Sequence, residues 1–147
     1  MSAITDRAVQ LYMEEGYCCA EAVWLAFAEG DTLSEEDKAF GNKLSFAFCG
    51  GTGAKNLCGA AAGGALVLGS RFGRIPGEPR NEDLPKYTKA LLEAFEEHYT
   101  YTTCRELKSS EDPNIYKQVC KEYVSFVTAK VEELLEEGVR KEKCSSG

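Results

Sequence analysis

Seven cysteines in 147 residues are the side chains in this chain best equipped for chemistry. Cys19, Cys58, Cys104 and Cys120 are separated by 38, 45 and 15 intervening residues, so no C-x-x-C pair exists and separate elements must deliver each thiol. Three of the four stand at predicted helix starts. Cys58 lies in Asn56-Leu57-Cys58-Gly59-Ala60-Ala61-Ala62-Gly63-Gly64, with Asn56 as the expected N-cap. Gly59, Gly63 and Gly64 leave a helix surface that another backbone or a cofactor can approach closely. Thr103-Cys104-Arg105-Glu106 matches a capping box and puts Cys104 at the first helical position. Cys19 opens a helix beginning at about residue 18. Unpaired amides and the positive end of the helix dipole favour a thiolate there and lower its pKa, and they suit a thiolate-ligated cluster equally well. Cys120 sits in mid-helix on an apolar stripe, where a thiol without a partner is a small hydrophobe.

The other candidates are auxiliary. Cys18 adjoins Cys19 and offers a second thiol for exchange, although neighbours on a helix do not face each other. Cys49, just before two glycines, is either a resolving thiol or a spare buried cysteine, and Cys144 falls in the tail. His98, the single histidine, lies on a predicted apolar stripe six residues before Cys104; it reads as a packed residue, with proton transfer or ligation as the alternative.

The elements that must position these groups are all helical. Apolar positions recur at helical spacing over 4–15, 18–29, 35–49, 57–71, 85–101 and 113–137, with Gly16, Gly30, Gly50 and Gly138 as stops. In the third, Phe40, Leu44 and Phe48 share one face; in the fifth, Tyr87, Leu91, Phe95 and His98 do; in the last, Tyr116, Val119, Cys120, Tyr123, Val127, Val131 and Leu134 do. Asp112-Pro113 is an N-cap with proline at N1. No segment alternates with period two. The expectation is an all-α bundle of five to six helices in one domain over residues 1–138, with a polar, flexible tail over 139–147.

Composition excludes several classes. A domain of this length buries roughly 68–70% of its unfolded surface and needs no disulfide staples. Seven cysteines are too few, and odd in number, for a disulfide scaffold. No secretory signal or membrane-length apolar run is present, which with the free thiols points to a reducing cytoplasm. A net charge of −7 argues against nucleic acid and anionic membranes as partners. Gly50-Gly51-Thr52-Gly53-Ala54-Lys55 lacks the G-K-[ST] of a phosphate loop and reads as a tight turn leading to Cys58. One histidine and scattered acids build no catalytic triad.

These residues resemble the redox-active protein family named for a C, G-C-A-x-x-G, C, C signature. The likeness begins at Gly16-Tyr17-Cys18-Cys19-Ala20-Glu21-Ala22-Val23, similar to a G-Y-x-C-x-x-A-V opening, and runs through residues 50–53 into Cys58-Gly59-Ala60-Ala61-Ala62-Gly63. It continues at Cys104-Arg105-Glu106-Leu107 and ends at Cys120. One departure is that Cys58 precedes Gly59, whereas the signature places glycine before cysteine. The resemblance implies that Cys19, Cys58, Cys104 and Cys120 form a set, with Cys18, Cys49 and Cys144 as extras. A related domain in a multihaem cytochrome is associated with an iron–sulfur cluster; the C-x-x-C-H of covalent haem is absent here.

The functional expectation is electron transfer through a cysteine-ligated iron–sulfur centre, with a redox partner protein. Zinc could occupy the same four thiolates. One alternative is a metal-free protein in which Cys58 exchanges disulfides with Cys19 or Cys104. Another is a non-catalytic module whose small-residue helix packs on a second copy as a homo-oligomer.

Overall fold

The computed structural model describes residues 2–146, and it is all-α. Helix α1 (Ala3–Glu14) begins at Ser2, whose Oγ accepts the Thr5 amide at 3.1 Å, and it buries Ala8, Leu11 and Tyr12. Helix α2 (Cys19–Ala28) is apolar almost all round and is enclosed accordingly, with Ala20, Ala22 and Val23 fully buried. Helix α3 (Glu35–Phe46) is capped by Ser34. Then follow α4 (Gly59–Phe72), α5 (Leu84–Tyr99), the short α6 (Cys104–Lys108) and α7 (Pro113–Ser146).

The centre is α4, packed on α2, α5 and α7. Its glycines let backbones meet. A Cβ on Gly63 would lie 2.7 Å from the Ala20 carbonyl oxygen of α2, and one on Gly64 would lie 2.7 Å from Val127 of α7. The core closes around Phe95, Leu91, Leu68, Val67, Val124, Val127 and Val131, with Phe95, Tyr99, Tyr123 and Phe126 forming an aromatic cluster at one end.

Four expectations fail for local reasons. Asn56 is not the N-cap of α4: Leu57 is drawn into a single antiparallel bridge with Thr103, so the helix starts later and Cys58 itself caps it. The stripe of α3 does not face the core. Phe40 is 59% and Leu44 45% exposed, while the buried contact is made by Gly41, which lies against the Trp24 ring, and by Ser45, which donates to the Gly41 carbonyl at 2.8 Å. Gly138 does not end α7; it is buried under the Phe72 ring, where a side chain would overlap, and the helix runs on to Ser146. Residues 139–146, expected as a loose tail, are therefore helical, and Cys144 is exposed on that last stretch. Finally, His98 leaves the apolar stripe: it is exposed and stacks on Phe126 with centroids 5.0 Å apart.

A candidate four-thiol centre

Cys19, Cys58, Cys104 and Cys120 line one small cavity of about 20 Å³, together with Gly59, Ala60, Leu107, Lys108 and Tyr123. Each thiol arrives on a different helix. Cys19 is the first residue of α2, Cys58 the N-cap of α4, Cys104 the first residue of α6, and Cys120 stands about a quarter of the way along α7.

Backbone pairing ties two of these helix starts together. The Cys58 amide donates to the Thr102 carbonyl at 2.7 Å, and the Cys104 amide donates to the Asn56 carbonyl. This one-residue bridge fixes Cys58 against Cys104. A wide turn, Gly51–Lys55, then wraps behind Cys104, with the Asn56 amide donating to the Gly51 carbonyl at 2.9 Å. Gly51 is required there twice over: its φ is +59°, and a Cβ would lie 2.7 Å from that of Cys104. Gly59 does the same for Cys19, since its missing Cβ would lie 2.5 Å from the Cys19 sulfur.

Electrostatically the set resists ionisation. Burial pushes Cys58 up to about 11, against its own Ala61 and Ala60 amides, which favour the thiolate without outweighing desolvation. Burial likewise raises Cys19, and negative charge on Cys58, Cys120 or Cys104 raises it further. Cys104 is raised by burial, opposed by Lys108 and Lys55. Cys120 is raised by burial, opposed by the nearby Tyr12 hydroxyl, which favours the thiolate. The helix-start argument for reactive, low-pKa thiolates is thus overturned, because desolvation of these thiols exceeds what a few amides supply. A cation in the cavity would reverse the balance by replacing the protons.

The remaining cysteines behave differently. Cys18 and Cys49 form a disulfide with Cα atoms 5.8 Å apart, so neither is a spare thiol. Beside it lies Glu21, and among the described residues Cys18, Glu21 and Cys49 are the group of potential ligand atoms that all lie within 4.8 Å of one another. Cys144 and His98 are exposed and line neither this cavity nor the cleft beside it.

A family model described as "Putative redox-active protein (C_GCAxxG_C_C)" matches residues 17–134. The chain belongs to this family. The matched span takes in all four cavity thiols and the Cys18–Cys49 disulfide, and stops short of Cys144. No curated protein and no solved structure matches the chain.

An open cleft of about 290 Å³ adjoins the cavity and shares Cys19, Cys104 and Cys120 with it. Tyr12, Tyr17, Tyr116, Lys108 and Lys117 form its walls, and Cys18 reaches it from the disulfide. Helix periodicity placed Tyr12 and Tyr116 on apolar stripes but marked neither Lys108 nor Lys117. Outside the cleft, Glu21, an acid three residues after the N-cap of α2, accepts the Cys18 amide at 3.2 Å.

Proposed function

We propose that the chain is an electron-transfer protein whose redox centre is an iron–sulfur cluster held by Cys19, Cys58, Cys104 and Cys120. The observation that carries this reading is the convergence of four thiols from four helices on one cavity, Cys58 buried and Cys19, Cys104 and Cys120 half-buried. The donor set suits the group: four sulfurs, with amides of two helix starts and the Tyr12 hydroxyl placed to favour negative charge on them. Bound there, such a cluster would supply one-electron chemistry at a potential set by charge, hydrogen bonds to sulfur and exposure.

The protein's own part is positioning and insulation. Gly59 and Gly51 let backbone close on Cys19 and Cys104, while Leu107, Ala60 and Tyr123 exclude water from the inner side. The cleft keeps the outer side within reach of a redox partner protein, with Lys108 and Lys117 favouring an acidic surface. Zinc is the weaker occupant. It carries no redox chemistry, and a single tetrahedral ion with bonds of about 2.3 Å would need its sulfurs about 3.8 Å apart. The group of ligand atoms within 4.8 Å among the described residues is instead the one around Glu21.

Metal-free exchange between Cys58 and Cys19 or Cys104 is disfavoured by the raised thiol pKa values, since the thiolate is the nucleophile. The cytoplasmic placement belongs to the same proposal; among the described residues no helix is long and apolar enough to cross a membrane. The test is an anaerobic reductive titration of the purified chain. Visible charge-transfer absorbance that bleaches on reduction and returns on reoxidation supports the reading, and a colourless protein opposes it.

A further inference from the structure

The turn over Gly51–Lys55 and the link from α6 to α7 together line an open pocket of about 720 Å³, which shares Lys108 with the four-thiol cavity. Its charge runs against that of the chain. The protein carries −7, yet Lys55, Arg105 and Lys108 line this pocket with Glu111 as the one carboxylate among its walls. Glu111 is divided between two cations. Its Oε1 accepts from the Lys55 ammonium and its Oε2 from the Lys108 ammonium at 3.0 Å, and the two lysines hold its carboxyl below the usual carboxylate range. Lys108 is held further by the Tyr116 ring, whose centroid lies 4.3 Å from the ammonium. Arg105 forms no ion pair among the described residues; its Nη2 donates to the Ala54 carbonyl at 3.4 Å.

The backbone around the pocket is strained. Four non-glycine residues among those described adopt positive φ, and three of them stand here: Thr52 at +66°, Lys55 at +58° and Ser109 at +62°. Positive φ is costly for a β-branched residue, and Thr52 is exposed, so burial of its side chain does not offset that cost. Strain of this kind gathers where a loop presents groups to a ligand.

We propose that this pocket binds a compact small-molecule polyanion, of phosphate or carboxylate chemistry, between Lys55, Arg105 and Lys108. The Glu111 carboxylate marks where one anionic group of the ligand sits. The Glu111 side chain is 67% exposed, so its ion pairs are surface pairs that a stronger anion displaces at little cost. A diphosphate or tricarboxylate brings more charge than one carboxylate, and it also engages the Arg105 fork, which takes two parallel hydrogen bonds from one anionic group. A concavity of this volume suits a small molecule, whereas a flat acidic protein surface would leave it unfilled. The site goes beyond the iron–sulfur reading and does not rest on it.

The experiment is isothermal titration of the full chain at low ionic strength with pyrophosphate, with citrate and with an oligoglutamate peptide. One saturable site per chain for pyrophosphate or citrate is expected, weakened by added sodium chloride. Binding of pyrophosphate alone assigns a phosphate ligand, and binding of citrate alone a carboxylate one. Arg105→Ala and Lys55→Ala should each weaken binding by at least about tenfold, through loss of a charge-assisted contact. Glu111→Gln should tighten it by about threefold or more, because no internal carboxylate then competes for the lysines. A purely structural ion-pair network would not give that sign. Lys89→Ala, which removes an exposed cation on α5, should leave the affinity unchanged. Circular dichroism confirms the helicity of each variant, and iron content before and after titration separates chelation by the probes from binding. The proposal is overturned by absence of saturable binding, by affinity that survives both Arg105→Ala and Lys55→Ala, or by a Glu111→Gln chain that binds no more tightly. An oligoglutamate peptide that binds more tightly than either small anion also overturns it, in favour of an acidic protein partner.

Discussion

The Cβ that Gly59 lacks would sit 2.5 Å from the Cys19 sulfur and 3.0 Å from the Phe48 carbonyl oxygen. The first residue of α4 is therefore shaped around the first residue of α2. Gly59→Ala must push one of them away, with an overpacking cost of about 1–3 kcal/mol. Bound iron should fall more steeply than stability does. Gly63→Ala is the comparison: its Cβ would meet the Ala20 backbone at 2.7 Å and no thiol, so stability should fall with iron retained in the chains that fold. Thermal melting alongside iron analysis separates the two.

Tyr12 and Cys120 line the same cleft, and the Tyr12 hydroxyl favours the Cys120 thiolate. Hydrogen bonds to ligand sulfur raise the potential of a cluster by stabilising its reduced form. Tyr12→Phe should therefore shift the midpoint to a more negative value in a spectroscopic redox titration while iron content holds. An unchanged midpoint would mean the hydroxyl does not sense the centre.

In the metal-free protein, stability should fall in alkali. The Cys58 thiol has its pKa raised from 9.0 to about 11 in the folded state, so below pH 9 both folded and unfolded chains hold the proton and this group adds no slope. Above that, the unfolded chain releases the proton while the folded one keeps it, and stability drops as pH climbs toward 11. Cys19 is raised for the same reason and acts with the same sign. Urea unfolding between pH 7 and about 11 measures this slope, and Cys58→Ala should make it shallower.

His98 and Cys144 lie away from the chemistry. His98→Ala removes one exposed ring from Phe126, and Cys144→Ser changes an exposed position on α7. Each should alter stability by no more than about 0.5 kcal/mol and leave iron content at the wild-type level, read by denaturation and metal analysis.

Helix periodicity made the all-α class legible, because amphipathic stretches such as the one bearing Tyr87, Leu91 and Phe95 bury those positions, His98 at its end excepted. Periodicity misled at α3, where Phe40 and Leu44 share a largely exposed face, because the Trp24 ring takes the neighbouring face at Gly41. It misled at Gly138 because a glycine can serve as a seat for Phe72 as readily as a helix stop. The bridge between Leu57 and Thr103 spans one residue on each side, too little to leave a pattern, yet it joins two of the four thiols. Helix starts were readable at Cys104 and Cys19, but their effect on pKa was not, since desolvation depends on what other helices bring to the cavity. Pairing of Cys18 with Cys49, 31 residues apart, is likewise a property of how α3 lies on α2.

Iron and acid-labile sulfide per chain, counted in anaerobically purified protein, test the central claim most directly when wild type is set beside Cys19→Ser, Cys58→Ser, Cys104→Ser and Cys120→Ser. The account predicts both elements in wild type in a fixed ratio and loss or sharp reduction of both in each of the four variants, with Cys144→Ser unchanged. Wild-type protein without iron or sulfide, or four variants that all keep their wild-type content, would contradict it.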